Sequence, residues 1–180
     1  SQSQMLIHQQ SHQGVINFDS FSIGQNESVN FIQPDRQSFT LNRVTGNDVS
    51  EIFGNLTSNG QVFLVNPNGV FFSESAQLDT GSLLVSTLES SDEDFLNQNL
   101  LFDGASQAGI INLGRIEVGT NGFIALVATE IDNQGELIAD AGAVGMVSAQ
   151  SLVVSFEDNL LGFEVNEYTS AADIKNGGLI

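Results

Sequence analysis

The chain has 180 residues, of which 41% are hydrophobic and 14% charged, and its 22 acidic against four basic side chains give a net charge of −18. This length and apolar content predict one ordered domain with its own core, not a disordered segment. The charge excludes nucleic-acid binding by phosphate neutralisation and disfavours an anionic membrane surface. Because cysteine is absent, disulfides, thiolate metal sites and cysteine nucleophiles are excluded.

Short runs of β-forming residues, bounded by Gly, Asn or Asp, recur along the chain and predict an all-β protein. The predicted strands are, in order, Val15–Phe18, Val29–Ile32, Phe39–Val44, Val62–Val65, Val70–Phe72, Leu83–Ser86, Ile124–Val127 and Leu152–Phe156.

Two short helical turns are predicted as exceptions to the β pattern. The first consists of Asp48 as its cap, Val49, Ile52 and Phe53 on one face, and Gly54 as its end. The second begins at Ser91, which forms a start resembling a capping box with Asp94, ahead of Phe95 and Leu96.

An internal period of 21 residues is the most informative feature. Asn112-Leu-Gly-Arg-Ile-Glu-Val aligns with Asn133-Gln-Gly-Glu-Leu-Ile-Ala, and Gly60-Gln-Val-Phe-Leu-Val aligns with Gly81-Ser-Leu-Leu-Val-Ser. The same offset, continued, places Leu126 over Val147, and the Asn-x-Gly-x-Ile/Leu phrase begins again at Asn176. Such a period, with short strands and turn residues at the corners, predicts a parallel β-helix whose rungs stack their inward Ile, Leu, Val and Phe side chains.

The period also predicts the organisation of the chain, which we interpret as a single domain over residues 1–180. Residues 1–45 are expected to form an N-terminal β cap and the first strands, and residues 46–88 the first rungs. Residues 89–109, which include the polar and acidic segment 89–105, are expected to leave the helix as an excursion. Residues 110–180 are expected to form further rungs, the last cut short as in a fragment of a longer protein.

The phrase Gln61-Val-Phe-Leu-Val-Asn-Pro-Asn-Gly-Val-Phe-Phe places a turn between two apolar strands. Pro67 presets φ at the second turn position, Asn68 tolerates the third, and Gly69 suits a positive-φ exit. Turn chemistry alone explains each residue type from Asn66 to Gly69, so a purely structural corner is one interpretation of this motif.

The same phrase resembles the signature of the two-partner-secretion domain, the haemagglutination-activity-type module at the N-terminus of filamentous haemagglutinins, secreted haemolysins and contact-dependent inhibition proteins. The resemblance continues, in the family's order, through Gly14-Val-Ile-Asn-Phe-Asp-Ser-Phe-Ser-Ile-Gly, Leu41-Asn-Arg-Val-Thr-Gly and the rungs after residue 110. Many members carry an earlier Asn-Pro-Asn-Leu motif. Here that stretch reads Gln33-Pro-Asp-Arg, so no role of that motif is carried over.

The resemblance implies a right-handed parallel β-helix that acts in secretion. It implies export to the periplasm of a Gram-negative-type bacterium, recognition by the periplasmic domains of a cognate outer-membrane β-barrel transporter, and passage to the cell surface or medium. Asn66, Pro67, Asn68 and Gly69 are the expected motif, acting through folding of the domain or through contact with the transporter. The activity of the whole exoprotein and the residues that touch the transporter stay open.

Catalytic, metal and cofactor sites are not expected. His8 and His12 lack the glutamate of a zincin motif, Ser91–Asp94 lacks the spaced ligands and glycine of a calcium loop, and Gly104–Gly114 lacks a P-loop lysine. The alternatives are an adhesive module that binds host cells directly and, less favoured because acids scatter and basic residues are few, a β-helix polysaccharide hydrolase or lyase.

Overall fold

The computed structural model describes residues 3–157 and 160–180, so residues 1–2 and 158–159 of the predicted domain lie outside the described part. Its elements, in chain order, are β1 (Ser3–His8), β2 (Gln13–Phe18), β3 (Glu27–Ile32), β4 (Phe39–Val44), β5 (Ser50–Ile52), β6 (Asn55–Ser58), β7 (Gln61–Val65), β8 (Val70–Phe72), β9 (Gln77–Thr80), β10 (Ser82–Ser86), α1 (Asp92–Leu96), β11 (Leu100–Asp103), β12 (Gly109–Asn112), β13 (Arg115–Val118), β14 (Phe123–Val127), β15 (Glu130–Asn133), β16 (Glu136–Ala139), β17 (Ala143–Val147), β18 (Ser151–Glu157), β19 (Leu160–Glu167) and β20 (Asp173–Asn176).

Three parallel sheets run along the molecule. Sheet A has the order β1-β3-β6-β9-β13-β16, sheet B the order β2-β4-β7-β10-β14-β17, and sheet C the order β5-β8-β12-β15-β20. The chain visits the sheets in the sequence A, B, C and returns to A one level higher. It therefore winds as a parallel β-helix of about six turns, which confirms the predicted β-helix fold.

The 21-residue offset is confirmed between β13 and β16 of sheet A and between β7 and β10 of sheet B. Between β14 and β17 of sheet B it is wrong by one residue. Ile116 pairs with Leu137 in sheet A, and Val62 pairs with Leu83 in sheet B, as the 21-residue period requires. Leu126, however, pairs with Met146 and not with Val147. The corner before β17 is one residue shorter than the corner before β14, and the native register keeps Leu126 and Met146 both facing the interior.

The interior core consists of inward-facing side chains from all three sheets. In sheet A, Leu56, Leu78, Ile116 and Leu137 form one column in which each residue pairs with the next. All four are at most 3% exposed. Removal of each such side chain from water contributes about 1.5–3 kcal/mol, so repetition of the column holds successive turns together.

Sheet B is also covered on its outer face. An antiparallel sheet with the order β11-β18-β19, together with α1, packs there and forms a second apolar cluster. Every residue of β10 and β14 is consequently buried, whereas β9 and β15 alternate between buried and more exposed residues. We call α1 and the sheet β11-β18-β19 the outer layer.

The two predicted helical turns have different outcomes. The turn at Ser91 is confirmed, because Ser91 Oγ accepts from Asp94 N at 3.0 Å and caps α1. The turn at Asp48 is wrong: Ser50–Ile52 is strand β5, which pairs with β8. Ile52 is fully buried while Val49 is 45% exposed, so pairing with the neighbouring rung overrides the local helical pattern.

Residues 110–180 are predicted to form further rungs, but in the structure an antiparallel hairpin interrupts the series. Strands β18 and β19 form an antiparallel hairpin outside the helix, and β20 then rejoins sheet C beside β15. Earlier in the chain, α1 and β11 occupy the interval between β10 and β12, and β11 pairs with β18.

Candidate functional site

The motif Asn66–Gly69 forms the corner between β7 of sheet B and β8 of sheet C. Asn66 is fully buried, and its backbone N–H donates to the carbonyl of Ser86 at 3.0 Å. Its side-chain amide donates to the Asp48 carbonyl and to Ser50 Oγ, both at 2.9 Å. Asn66 Oδ1 accepts from the backbone N–H and the Nδ2 of Asn68, both at 2.9 Å. All polar groups of this side chain are thus satisfied within the fold.

The remainder of the motif closes the turn and ties it to the previous rung. The N–H of Gly69 donates to the Asn66 carbonyl at 3.1 Å, and Gly69 has φ of +108°, which confirms the predicted positive-φ exit. Asn68 Nδ2 donates to the Gly46 carbonyl at 2.9 Å. Pro67 and Asn68 are half-buried, so the motif offers little free side-chain surface in the folded domain.

A later segment of the chain lies against this corner. Ser106 Oγ donates to the Pro67 carbonyl at 2.7 Å, and a Cβ on Gly69 would lie 3.2 Å from the carbonyl oxygen of Gly109. We call residues 104–108, which connect β11 to β12, the cap loop. Sequence reasoning missed this contact, because its partners are 39 positions apart and no local pattern links them.

The stretch Gln33-Pro-Asp-Arg forms the corner between β3 and β4 and is organised differently. Gln33 is 4% exposed, and its side-chain amide donates to Thr40 Oγ1 at 3.0 Å and to the Gln61 carbonyl at 3.2 Å, while its Oε1 accepts from Ser58 Oγ at 2.6 Å. This buried amide network was not predicted. A glutamine between apolar strands, followed by Pro, was the available signal.

Asp35 occupies the same corner and accepts three hydrogen bonds at Oδ1. The donors are Ser38 Oγ at 2.9 Å, Gln37 N at 2.9 Å and Ser38 N at 2.8 Å. These bonds, the Ser38 hydroxyl first among them, hold the pKa of Asp35 below its ordinary value of 3.8. His12 lies 3.3 Å from the other carboxylate oxygen and favours the charged form further.

The repeated asparagines meet at the corner between sheets C and A. Asn112 Nδ2 donates to Asn133 Oδ1 at 2.8 Å, and Asn133 Nδ2 donates to Asn176 Oδ1 at 2.7 Å. Asn112 and Asn133 are fully buried. The Asn-x-Gly-x-Ile/Leu sequence that begins again at Asn176 therefore supplies the third asparagine of one hydrogen-bonded ladder.

The other candidates from the sequence do not converge with the motif. His8 and His12 are exposed, the run Ser91–Asp94 starts α1, and the Gly104–Gly114 stretch supplies the cap loop and β12. Within residues 3–157 and 160–180, no three His, Asp or Glu side chains are placed to share a metal ion. None of the helices in this part of the chain has the length and hydropathy of a membrane span.

Comparison with known proteins gives one consistent result. The family model of the TPS secretion domain matches residues 1–180. A heme/hemopexin-binding protein of Haemophilus influenzae is 32% identical over 99% of this chain and 21% of its own length, and a second protein of that name is 43% identical over 46% of this chain and 9% of its own length. This chain thus spans about a fifth of the length of the first of these two proteins.

A solved structure agrees with these sequence matches. The crystal structure of the HMW1 secretion domain from Haemophilus influenzae superposes with a TM-score of 0.88 at 31% identity, covering 95% of this chain and 46% of that one. The β-helix, the whole-chain family match and this neighbour agree: the chain belongs to the family of two-partner-secretion (TPS) secretion domains.

Proposed function

We propose that this domain directs export of a large exoprotein by engaging the periplasmic domains of its cognate outer-membrane transporter. In this proposal it then serves as the first folded block of the β-helix outside the cell. The observation that carries the proposal is the whole-chain match to a secretion-domain family, on a fold whose parallel strands can template further rungs. The domain would act by backbone pairing and packing, without catalysis, and the exported protein would reside at the cell surface or in the medium.

The motif Asn66–Gly69 is proposed to act in two stages. Before the domain folds, its asparagine amides and the carbonyl of Pro67 are free to bind a partner. After folding, Asn66 joins the rungs on either side through Asp48, Ser50 and Ser86. Every polar group of the Asn66 side chain is hydrogen-bonded within the fold, which supports the folding role. Recognition would belong to the unfolded or partly folded chain.

Export of the full-length exoprotein together with its transporter tests this function. Deletion of residues 66–69 is expected to abolish export, seen as loss of protein from the supernatant and its accumulation or degradation in the periplasm. Normal export of the deletion variant would show that the motif has no part in secretion.

A pair of single substitutions separates recognition from folding. Asn66→Ala and Asn133→Ala each remove a fully buried amide that bonds to neighbouring rungs, but only Asn66 lies in the motif. We expect Asn66→Ala to reduce export more strongly than Asn133→Ala when their losses of stability are similar. Equal export at equal stability would leave the motif a folding role only.

A second proposal concerns the exoprotein that carries this domain. Two similar proteins are named heme/hemopexin-binding proteins, so we infer that the whole exoprotein is a candidate binder of heme or hemopexin. Retention of the full-length protein on immobilised hemin or hemopexin tests this. Direct attachment to host cells, the adhesive alternative, predicts saturable binding of the isolated domain to cells instead.

A further inference from the structure

The cap loop packs against Pro67 and Gly69 of the motif through specific contacts. Ser106 Oγ donates to the Pro67 carbonyl at 2.7 Å and accepts from the backbone N–H of Ala108 at 3.1 Å. A Cβ on Gly69 would lie 3.5 Å from the Cβ of Ala108, which is van der Waals contact. The carbonyl of Pro67 and the face of Gly69 are therefore occupied by the domain's own later residues.

The cap loop is held in place by parts of the chain that are made still later. The N–H of Gly104, at the start of the loop, donates to the Gln150 carbonyl at 3.0 Å, and Thr129 Oγ1 donates to the Ser106 carbonyl at 2.7 Å. Strand β11, just before the loop, pairs with β18. Closure of the loop thus depends on residues 129 and 150 and on the β18–β19 hairpin, all of which follow the motif by more than a full turn of the helix.

On the basis of the proposed function, we propose that the cap loop regulates access to the motif. The transporter binds the Asn66–Gly69 corner while the cap loop is open, and docking of Ser106 onto Pro67 ends that contact. A partner that binds only the open form binds the folded domain in proportion to the fraction of open molecules. Folding of the outer layer then releases the domain from the transporter without any change in the motif itself.

Two serine variants provide a matched test. Ser106→Ala removes the hydroxyl that joins the loop to Pro67, whereas Ser75→Ala removes a hydroxyl that donates to the Phe53 carbonyl at the same distance, 2.7 Å, and that bonds to neither the motif nor the cap loop. Both serines are half-buried. Loss of one such bond is expected to raise the open fraction about fivefold in Ser106→Ala.

Two measurements read the opening and its consequence. Hydrogen exchange at the Gly104 amide, which bonds the loop to the Gln150 carbonyl, should become about fivefold faster in Ser106→Ala and stay unchanged in Ser75→Ala. Binding of the folded domain to the purified periplasmic domains of the transporter should tighten about fivefold in Ser106→Ala alone. Wild-type chain diluted from urea just before mixing serves as the fully open reference and should bind most tightly.

The outcomes separate this inference from the function on which it rests. Faster exchange with unchanged affinity, unchanged exchange in Ser106→Ala, or an equal gain in Ser75→Ala would each overturn regulation by the cap loop. If the freshly diluted wild-type chain also fails to bind the transporter domains, the proposed function itself is wrong. If the diluted chain binds while the serine variants behave as wild type, only the role of the cap loop is lost.

Discussion

Gly69 is the residue whose backbone geometry most restricts substitution in the motif. Its φ of +108° is a region that side-chain-bearing residues rarely adopt, and an added Cβ would lie 3.2 Å from the Gly109 carbonyl oxygen. We predict that Gly69→Ala lowers the free energy of unfolding by about 2 kcal/mol, measured by urea denaturation. Gly177→Ala is the control, since a Cβ there meets no atom within 4 Å. Equal losses in the two variants would contradict the prediction.

Asp35 gives a pH dependence whose sign follows from its pKa. Because the Ser38 hydroxyl holds the pKa of Asp35 below 3.8 in the folded state, the folded protein binds this proton less tightly than the unfolded chain. Its contribution to stability is therefore complete above about pH 4 and is lost as the pH falls through the lower, folded-state pKa. We predict that the difference in urea midpoint between wild type and Asp35→Asn shrinks from pH 5 to pH 3. A difference that is independent of pH would contradict this assignment.

At the scale of elements, the outer layer depends on Phe95 of the short helix α1. The Phe95 ring is fully buried and meets the rings of Phe39 and Phe63 edge-on, with centroids 5.0 and 5.4 Å apart. Phe95→Ala is expected to destabilise the layer by about 3–4 kcal/mol. Hydrogen exchange should accelerate in β11 and β18 while sheet A keeps its protection, because the interior core is a separate cluster.

Leu96, the next residue of the same helix, is the control for Phe95. Its side chain is 43% exposed, so Leu96→Ala should change exchange in β11 and β18 little. If Phe95→Ala instead accelerates exchange equally in all sheets, the outer layer does not open separately from the β-helix. That result would also weaken the case for a cap loop that opens by itself.

The contrast between helix and outer layer explains which elements could be predicted. Rungs repeat their corner and inward residues at a nearly fixed spacing, so Ile116 over Leu137 was visible in the sequence. The pairing of Leu100 with Val154 joins two segments that share no repeat, and only the folded chain brings them together. Turn chemistry likewise predicted the conformation of Gly69. The contact of Ser106 with Pro67, in contrast, depends on where residues 89–109 rejoin the β-helix.

An uninterrupted apolar strand was the overlooked signal for the outer layer. Strands with one solvent-exposed face alternate between polar and apolar residues. Phe123–Val127 and Ser82–Ser86 do not alternate in this way. Such strands must be covered on both sides. The covering segment could therefore have been expected from sheet B alone, although its identity could not.

At the scale of the whole molecule, unpaired negative charge dominates the surface. Arg36 donates to the Thr120 carbonyl, and the other three basic residues contact carboxylates: Arg43 with Asp92, Arg115 with Glu117 and Glu136, and Lys175 with Asp173. With 22 acidic residues, most carboxylates have no cationic partner among these pairs. Stacking of the rungs also places like charges on adjacent strands, where such neighbours destabilise a sheet.

Glu130 and Asp173 are one such pair of neighbours, on β15 and β20. We predict that raising NaCl from about 0.02 M to about 0.5 M increases the melting temperature, because salt shortens the range of repulsion between exposed charges. A melting temperature that falls with salt would mean that the few ion pairs, which salt also weakens, outweigh the repulsion. In that case Arg115, whose pKa is raised by its bonds to Glu117 and Glu136, would be the first contact to test by substitution.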